Sequence, residues 1–214
     1  MIVELRNGSK TGRHGQTAMT AASPDAQVQP LTAELWPALE DLFGPQGACY
    51  GCWCTYFRLP PARRRAGTRE TNKAHLMKRV EAGPPPGLIA FQDGAPVGWM
   101  QIGPRADVPE WNNARRVSAP LDGEDLTDPA SWAISCFFIR SKARGRGLSH
   151  RLVAAGIDFA RGNGARVLDA CPIDEAKQSK SVGLFVGSTR VFEAAGFRAV
   201  ALRKPGRPLM RLEL

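Results

Sequence analysis

No stretch of about 18 consecutive apolar residues occurs in this chain, so it contains no candidate membrane-spanning helix. The opening segment lacks the basic start, apolar middle and small-residue cleavage pattern of a secretory signal, and a soluble, cytoplasmic protein is expected. Acidic residues are in short supply: 20 Asp and Glu stand against 29 Lys and Arg among 214 residues, for a net charge of +9. That balance favours an anionic partner, whether a phosphate-bearing cofactor, an acidic substrate or a nucleic acid, without choosing among them. Tyrosine is scarcer still, with only Tyr50 and Tyr56. Cysteine is odd in number, five in all, and without a secretory signal this argues against a disulfide framework. Cys49, Cys52 and Cys54 crowd into "ACYGCWC", but tetrahedral zinc needs a fourth ligand and no second cysteine pair follows. His75 would have to arrive by tertiary placement. No metal is therefore expected, and the three thiols read as buried and inert within an aromatic cluster.

A 43% hydrophobic content in a chain of this length supports one sizeable core. Residues 1–27 are rich in small and polar residues without periodicity and read as a flexible tail; residues 28–214 read as the folded domain. After a short extended "VQPL", Thr32 is a reasonable N-cap for "AELWPALEDLF", whose Leu35, Leu39, Leu42 and Phe43 share one helical face. The Cys-aromatic segment follows through Pro60 and Pro61. A basic helix over about Arg69 to Glu81 then stops at "GPPPG".

"GLIAFQDGAPVGWMQIG" predicts a hairpin turning at Asp93-Gly94. Residues 104–130 predict a long loop bordering a site, with Trp111 inside it. "SWAISCFFI" is apolar on both alternations, as in a central strand covered on both faces. A helix follows from Leu148 and ends near "GNG"; then come the strand "ARVLDACPI", a helix capped by Ser188 and ended by Gly196, and the strands "FRAVALR" and "PLMRLEL". The predicted order is β-α-α-β-β-β-α-β-α-β-β, a mixed α/β fold.

The junction "SKARGRGLS" joins the central strand to the helix at Leu148. A helix start leaves backbone N–H groups unpaired, and Gly145 and Gly147 let a ligand approach that backbone closely. Arg140, Lys142, Arg144 and Arg146 add positive charge where a helix already favours anions. The segment is neither a Walker loop, since it lacks Gly-Lys-Ser/Thr, nor a full dinucleotide fingerprint.

With that junction in its strand-to-helix context, the chain resembles the GNAT superfamily of N-acetyltransferases, whose pyrophosphate signature is Gln/Arg-x-x-Gly-x-Gly/Ala. Arg144, Gly147 and Ser149 fill its positions, with serine in place of the final glycine or alanine. "GSTRVFEAAGF" at 187–197 resembles the family's aromatic-Glu-x-x-Gly-Phe helix. The resemblance implies a mostly antiparallel twisted sheet flanked by helices, splayed between the strands at 131–139 and 166–171 to admit acetyl-CoA as co-substrate. Main-chain groups of Phe137, Phe138 and Ile139 would pair with the pantetheine arm. The amides of Arg144, Gly145, Arg146, Gly147, Leu148 and Ser149 would hold the pyrophosphate. The implied reaction is direct acetyl transfer to a primary amine.

Many family members place a tyrosine acid where this chain has Phe192, which cannot donate a proton. Tyr56, Tyr50, Glu110, Asp169 and Asp174 are the candidates for proton transfer, with packing, surface or capping roles as the competing readings. Cys136 and Cys171 suggest an acetyl-cysteine route, which burial as structural thiols explains more simply. Trp53, Tyr56 and Trp111 are candidate lining for an acceptor pocket receiving a flat or cationic amine, with core packing as the competing reading, and "RLPPARRRAG" would attract an acidic substrate, with a solvated surface as the usual fate of such a run. The absent tyrosine keeps a catalytically silent acyl-CoA-binding module in view. A nucleic-acid binder is disfavoured by the lack of a recognition signature. No membrane partner is expected, and a homodimer is left open.

Overall fold

The computed structural model describes residues 26–174 and 184–214. The expected tail therefore lies outside the described residues up to residue 25, and Gln27 already opens the first strand. Elements run β1 (Gln27–Pro30), α1 (Trp36–Phe43), α2 (Pro61–Ala66), α3 (Arg69–Ala82), β2 (Gly87–Gln92), β3 (Ala95–Pro104), β4 (Ser131–Ile139), α4 (Leu148–Gly162), β5 (Val167–Ala170), α5 (Thr189–Ala194), β6 (Arg198–Leu202) and β7 (Pro208–Glu213).

Local chemistry accounts for most of these. At the β2–β3 hairpin Asp93 and Gly94 both take positive φ, 51° and 75°, as a tight turn between twisted strands requires. Thr68 caps α3 in a reciprocal capping box with Thr71, and Gly83 with its prolines ends it. α1 begins later than the sequence suggests: Leu35 and Trp36 donate to carbonyls only three residues back, at Thr32 and Ala33, so Thr32 starts a turn and regular helix begins at Trp36. α2 is not foreseen in the sequence reading. Pro61 at its first position supplies a preset helical φ to an otherwise basic, exposed run.

The sheet order is β1-β2-β3-β4-β5-β7-β6, and every neighbouring pair is antiparallel except β4 with β5. A parallel pair needs a crossover, which α4 provides. α4 and α5 cover one face through Leu152, Val153, Ile157 and Phe192, while α1 and α3 cover the other through Trp36, Leu39, Leu76 and Val80. β4 is accordingly buried on both faces over Ser131–Ser135. Under the long loop after β3, Trp111 joins Phe57, Ile173 and Leu209 in a third cluster.

Candidate active site

β4 and β5 pair only from Ser131–Val167 to Ile134–Ala170. Beyond Ile134, β4 runs on for five residues with β3 on one edge, while the turn Leu184–Val186 lies against it in place of a strand. A register shift between Gln101 and Ile102 places a bulge opposite the point of divergence. The predicted splay is present.

At the exit of β4, Arg140 donates its N–H to Val97 at 3.0 Å, and the turn Ser141–Ala143 tucks Ala143 into the core. Arg144 then reaches back, its Nε donating to the Ile139 carbonyl at 2.9 Å. Gly145 and Gly147 take φ of 74° and 75°, left-handed values that a side chain resists. α4 follows, seated closely on β3. A Cβ on Gly98 would come within 2.9 Å of Leu148 Cδ2, and one on Gly156 would strike the Met100 methyl. The N–H groups from Gly145 to Ser149 find no backbone acceptor among the described residues. Lys142, Arg144 and Arg146 are exposed around them. Unpaired donors, a helix N-terminus and three cations make an anion cradle.

Beside the open edge of β4 lies a cavity of about 450 Å³, walled by Cys136, Phe137 and Phe138 of β4, by the Cys-aromatic loop, by the start of α3 and by Phe185. The loop is strained: Ala48, Tyr50, Trp53 and Cys54 all have left-handed φ, between 44° and 64°. Such a conformation costs a non-glycine residue on the order of 1–3 kcal/mol and must be held by its surroundings. Asn72 Nδ2 donates to the Gly51 carbonyl at 3.0 Å and Thr55 Oγ1 to that of Cys52 at 2.7 Å, which supply part of the hold.

The structure sorts the candidate residues clearly. Tyr56 lines the cavity. Arg64 stacks on its ring at 4.2 Å and donates to its carbonyl at 3.0 Å, and Arg116 donates to its hydroxyl at 3.5 Å. Glu110 does not line the cavity; its carboxylate lies 3.8 Å from Arg116. Trp53 sits behind the cavity, stacked on Trp36 at 5.7 Å, and edges a separate cleft with Glu40 and Lys73. Trp111 is 1% exposed beneath Arg105 and does not reach the cavity. Tyr50, for which core packing is the stronger sequence reading, is instead fully exposed at the cavity rim.

Asp169 is neither at the surface nor a cap. It is wholly buried, held by Arg105 at 2.7 Å and by Arg211 Nε at 2.8 Å, and Glu124 of the long loop binds the same two arginines. Burial pushes the Glu124 carboxyl up, but the Leu121 N–H and Arg211 outweigh it and leave it below the ordinary value. The backbone N–H of Asp174 donates to Gly206 at 2.9 Å, away from the cavity lining. Phe192 is fully buried, edge to face with Phe137 and Phe197.

The thiols do not form one inert cluster. Cys49 is exposed and Cys52 half-buried, while Cys54 and Cys136 share a hydrogen bond with sulfurs 3.8 Å apart. Cys54 also accepts the Trp99 indole N–H at 3.2 Å. The bond with Cys136 holds the Cys54 thiol below its ordinary value against burial, with Trp99 and the buried Arg58 adding to the effect. The same bond and burial push Cys136 well up. Burial, then the neighbouring Cys54, pushes Cys52 up to about 11. Among the described residues no group of three or more His, Cys, Asp and Glu is arranged to hold a metal, and no helix is long and apolar enough to cross a membrane. Sequence reasoning misses Arg69, Thr68 and Phe185 as lining; Arg64 it touches only through the basic run "RLPPARRRAG".

A half-open parallel pair ending in an anion cradle defines the architecture of an acyltransferase cleft. The model of the acetyltransferase (GNAT) family matches residues 53–187, more than half of the chain, and the chain belongs to that family. Among solved structures it is similar to yncA of Salmonella typhimurium, a proposed acetyltransferase seen with its cofactor acetyl-CoA (18% identity over 88% of this chain and 94% of that one, TM-score 0.51). The ribosomal-protein-alanine N-acetyltransferase of Brucella melitensis is similar at 22% identity (88% and 99%, TM-score 0.50). PaiA N-acetyltransferase of Thermoplasma acidophilum, in complex with coenzyme A, is similar at 11% (89% and 99%, TM-score 0.50). At these identities the likeness is one of fold. No curated protein matches the chain.

Proposed function

We propose that the domain spanning residues 28–214 transfers acetyl from acetyl-CoA to the amine of an acceptor that also carries a carboxylate or phosphate. The observation that carries the donor half is the run of N–H groups from Gly145 to Ser149, without a backbone acceptor among the described residues, beside the open edge of β4. A diphosphate fits that cradle: a Cβ on Gly145 would meet nothing within 4 Å, so the backbone there is open to close approach. Phe137, Phe138 and Ile139 present their main chain to the pantetheine arm, and Arg144 to Ser149 hold the diphosphate. Bound there, acetyl-CoA supplies an activated thioester. Two of the similar structures contain acetyl-CoA or coenzyme A, which supports this choice of donor.

The acceptor half rests on the cavity wall, which among the described residues holds Arg64 and Arg69 but no carboxylate. Two guanidiniums attract an anionic group. They also disfavour a further positive charge, which lowers the pKa of an entering ammonium and raises its neutral, nucleophilic fraction. No side-chain base is then required. A proton must still reach the departing thiolate; of the cavity's phenols and thiols, Tyr50 and Cys49 stand exposed at the rim, burial holds the Cys52 proton tightly and Cys54 is engaged with Cys136, which leaves the Tyr56 hydroxyl and the Cys136 thiol. Cys136 is engaged with Cys54. Arg116 donates to the Tyr56 oxygen, which leaves the phenolic proton free. Tyr56 is therefore the proton donor, and Glu110 positions it through Arg116.

Turnover of acetyl-CoA with the common amino acids and with their decarboxylated amines tests both halves. The carboxylate-bearing acceptors are expected to react and the plain amines to fail. Tyr56→Phe, which keeps the ring, is expected to lower kcat about 100-fold at unchanged acetyl-CoA affinity. A silent acyl-CoA-binding module is the second reading, favoured by the burial of Phe192 at the position of the family's tyrosine acid. It predicts acetyl-CoA binding with no thiol release from any amine.

A further inference from the structure

We infer that Cys54 and Cys136 are the two halves of a reversible disulfide that locks the Cys-aromatic loop to β4 and closes the cavity, with a small hydroperoxide as oxidant. The two residues are 82 apart in sequence, yet their sulfurs lie 3.8 Å apart, and both face the cavity. A disulfide needs the sulfurs at about 2.05 Å, so the two sulfurs must approach each other by somewhat under 2 Å. Other thiols are worse placed. Cys49 is exposed at the rim, Cys52 is held protonated by burial, and Cys171 lies away from the cavity beside Arg207.

The hydrogen bond with Cys136, then donation from the Trp99 indole and the charge of the nearby Arg58, favour Cys54 as the attacking sulfur. Its thiolate attacks one oxygen of the hydroperoxide, the O–O bond breaks, and the alkoxide or hydroxide leaves with a proton as alcohol or water. The resulting sulfenic acid on Cys54 is then attacked by Cys136, which gives up its proton; hydroxide leaves as water and the S–S bond forms. Two thiols and one hydroperoxide become one disulfide, one alcohol or water, and one water. A thiol reductant reverses the change.

The bond itself requires nothing from acetyl transfer, whereas its consequence for turnover rests on the proposed function. The test treats the full chain with hydrogen peroxide, alkylates the remaining thiols and maps the peptides without reduction. The expected product is a peptide pair joined through Cys54 and Cys136, lighter by two hydrogens and restored by dithiothreitol, with Cys49 and Cys171 alkylated. In Cys136→Ser the sulfenic acid on Cys54 persists and is trapped by dimedone; in Cys54→Ser no dimedone adduct forms on Cys136. Acetylation of a reactive amino acid is expected to fall in proportion to the cross-linked fraction. Alkylation of both Cys54 and Cys136 after peroxide, or a bridge between other cysteines, overturns the inference. Mapping of the wild type decides this even if a variant does not fold. Absence of acetylation by the untreated protein overturns the proposed function and leaves the mapping result standing.

Discussion

Asp169 has no access to solvent, and its carboxylate is shared by Arg105 and Arg211, of which Arg105 is itself 1% exposed on its side chain. Such a group stabilises only while all partners are present, because removing one leaves an uncompensated buried charge. Asp169→Ala is expected to cost about 3–5 kcal/mol in urea unfolding, and Asp169→Asn less, since the amide still accepts a hydrogen bond. A loss below about 1 kcal/mol, the range of exposed pairs, would mean that the arginines reach water in the folded protein. The network also pins Glu124, and with it the long loop, to β5 and β7. An aspartate within "VLDA" carries no local mark of this: its partners lie 64 and 42 residues away, and charge pairing at such range is set by the sheet order. Tyr50 and Trp111 are misjudged for the same reason. An aromatic residue in an aperiodic loop has no pattern to say which way it faces; the long loop after β3 packs Trp111 inward, and the Cys-aromatic loop leaves Tyr50 in solvent.

α4 links the sheet to the anion cradle. Its position depends on close approach to β3, where Gly98 and Gly156 leave room for Leu148 and for Met100. Gly156→Ala displaces the flexible end of Met100 and presses on the Ile102 Cδ1 methyl at 3.2 Å, both side-chain ends that shift by a small rotation, and is expected to be tolerated. Gly156→Leu forces the helix off the strand and is expected to cost about 1–3 kcal/mol, read as a lowered denaturation midpoint. Elements of this kind were open to sequence reasoning because their signals are local: Asp93-Gly94 at the hairpin, an apolar run for β4, glycines before Leu148 and Gly83 after α3. The short helix α2 was hidden by its composition, since six residues with no buried side chain have no amphipathic pattern. The strained loop at 47–54 was hidden too, because left-handed φ at four non-glycine residues contradicts local preference and is imposed from outside.

At the scale of the whole molecule, the four-residue parallel pairing of β4 and β5 is the feature that makes a cleft, and the junction into α4 brings to its mouth five N–H groups that have no backbone acceptor among the described residues. The basic excess of the chain gathers meaning there and at Arg64 and Arg69, where two anionic ligands would meet. Calorimetric titration of acetyl-CoA into the full chain and into Ser149→Glu tests this account most directly. A glutamate in the first turn of α4 suits the helix dipole, so the variant is expected to keep its melting temperature, while its charge repels a diphosphate. The wild type is predicted to bind, and Ser149→Glu to bind about tenfold more weakly, a loss of ~1.4 kcal/mol. No binding by the wild type, or equal binding by both, would contradict the assignment of this junction as the cradle for the donor.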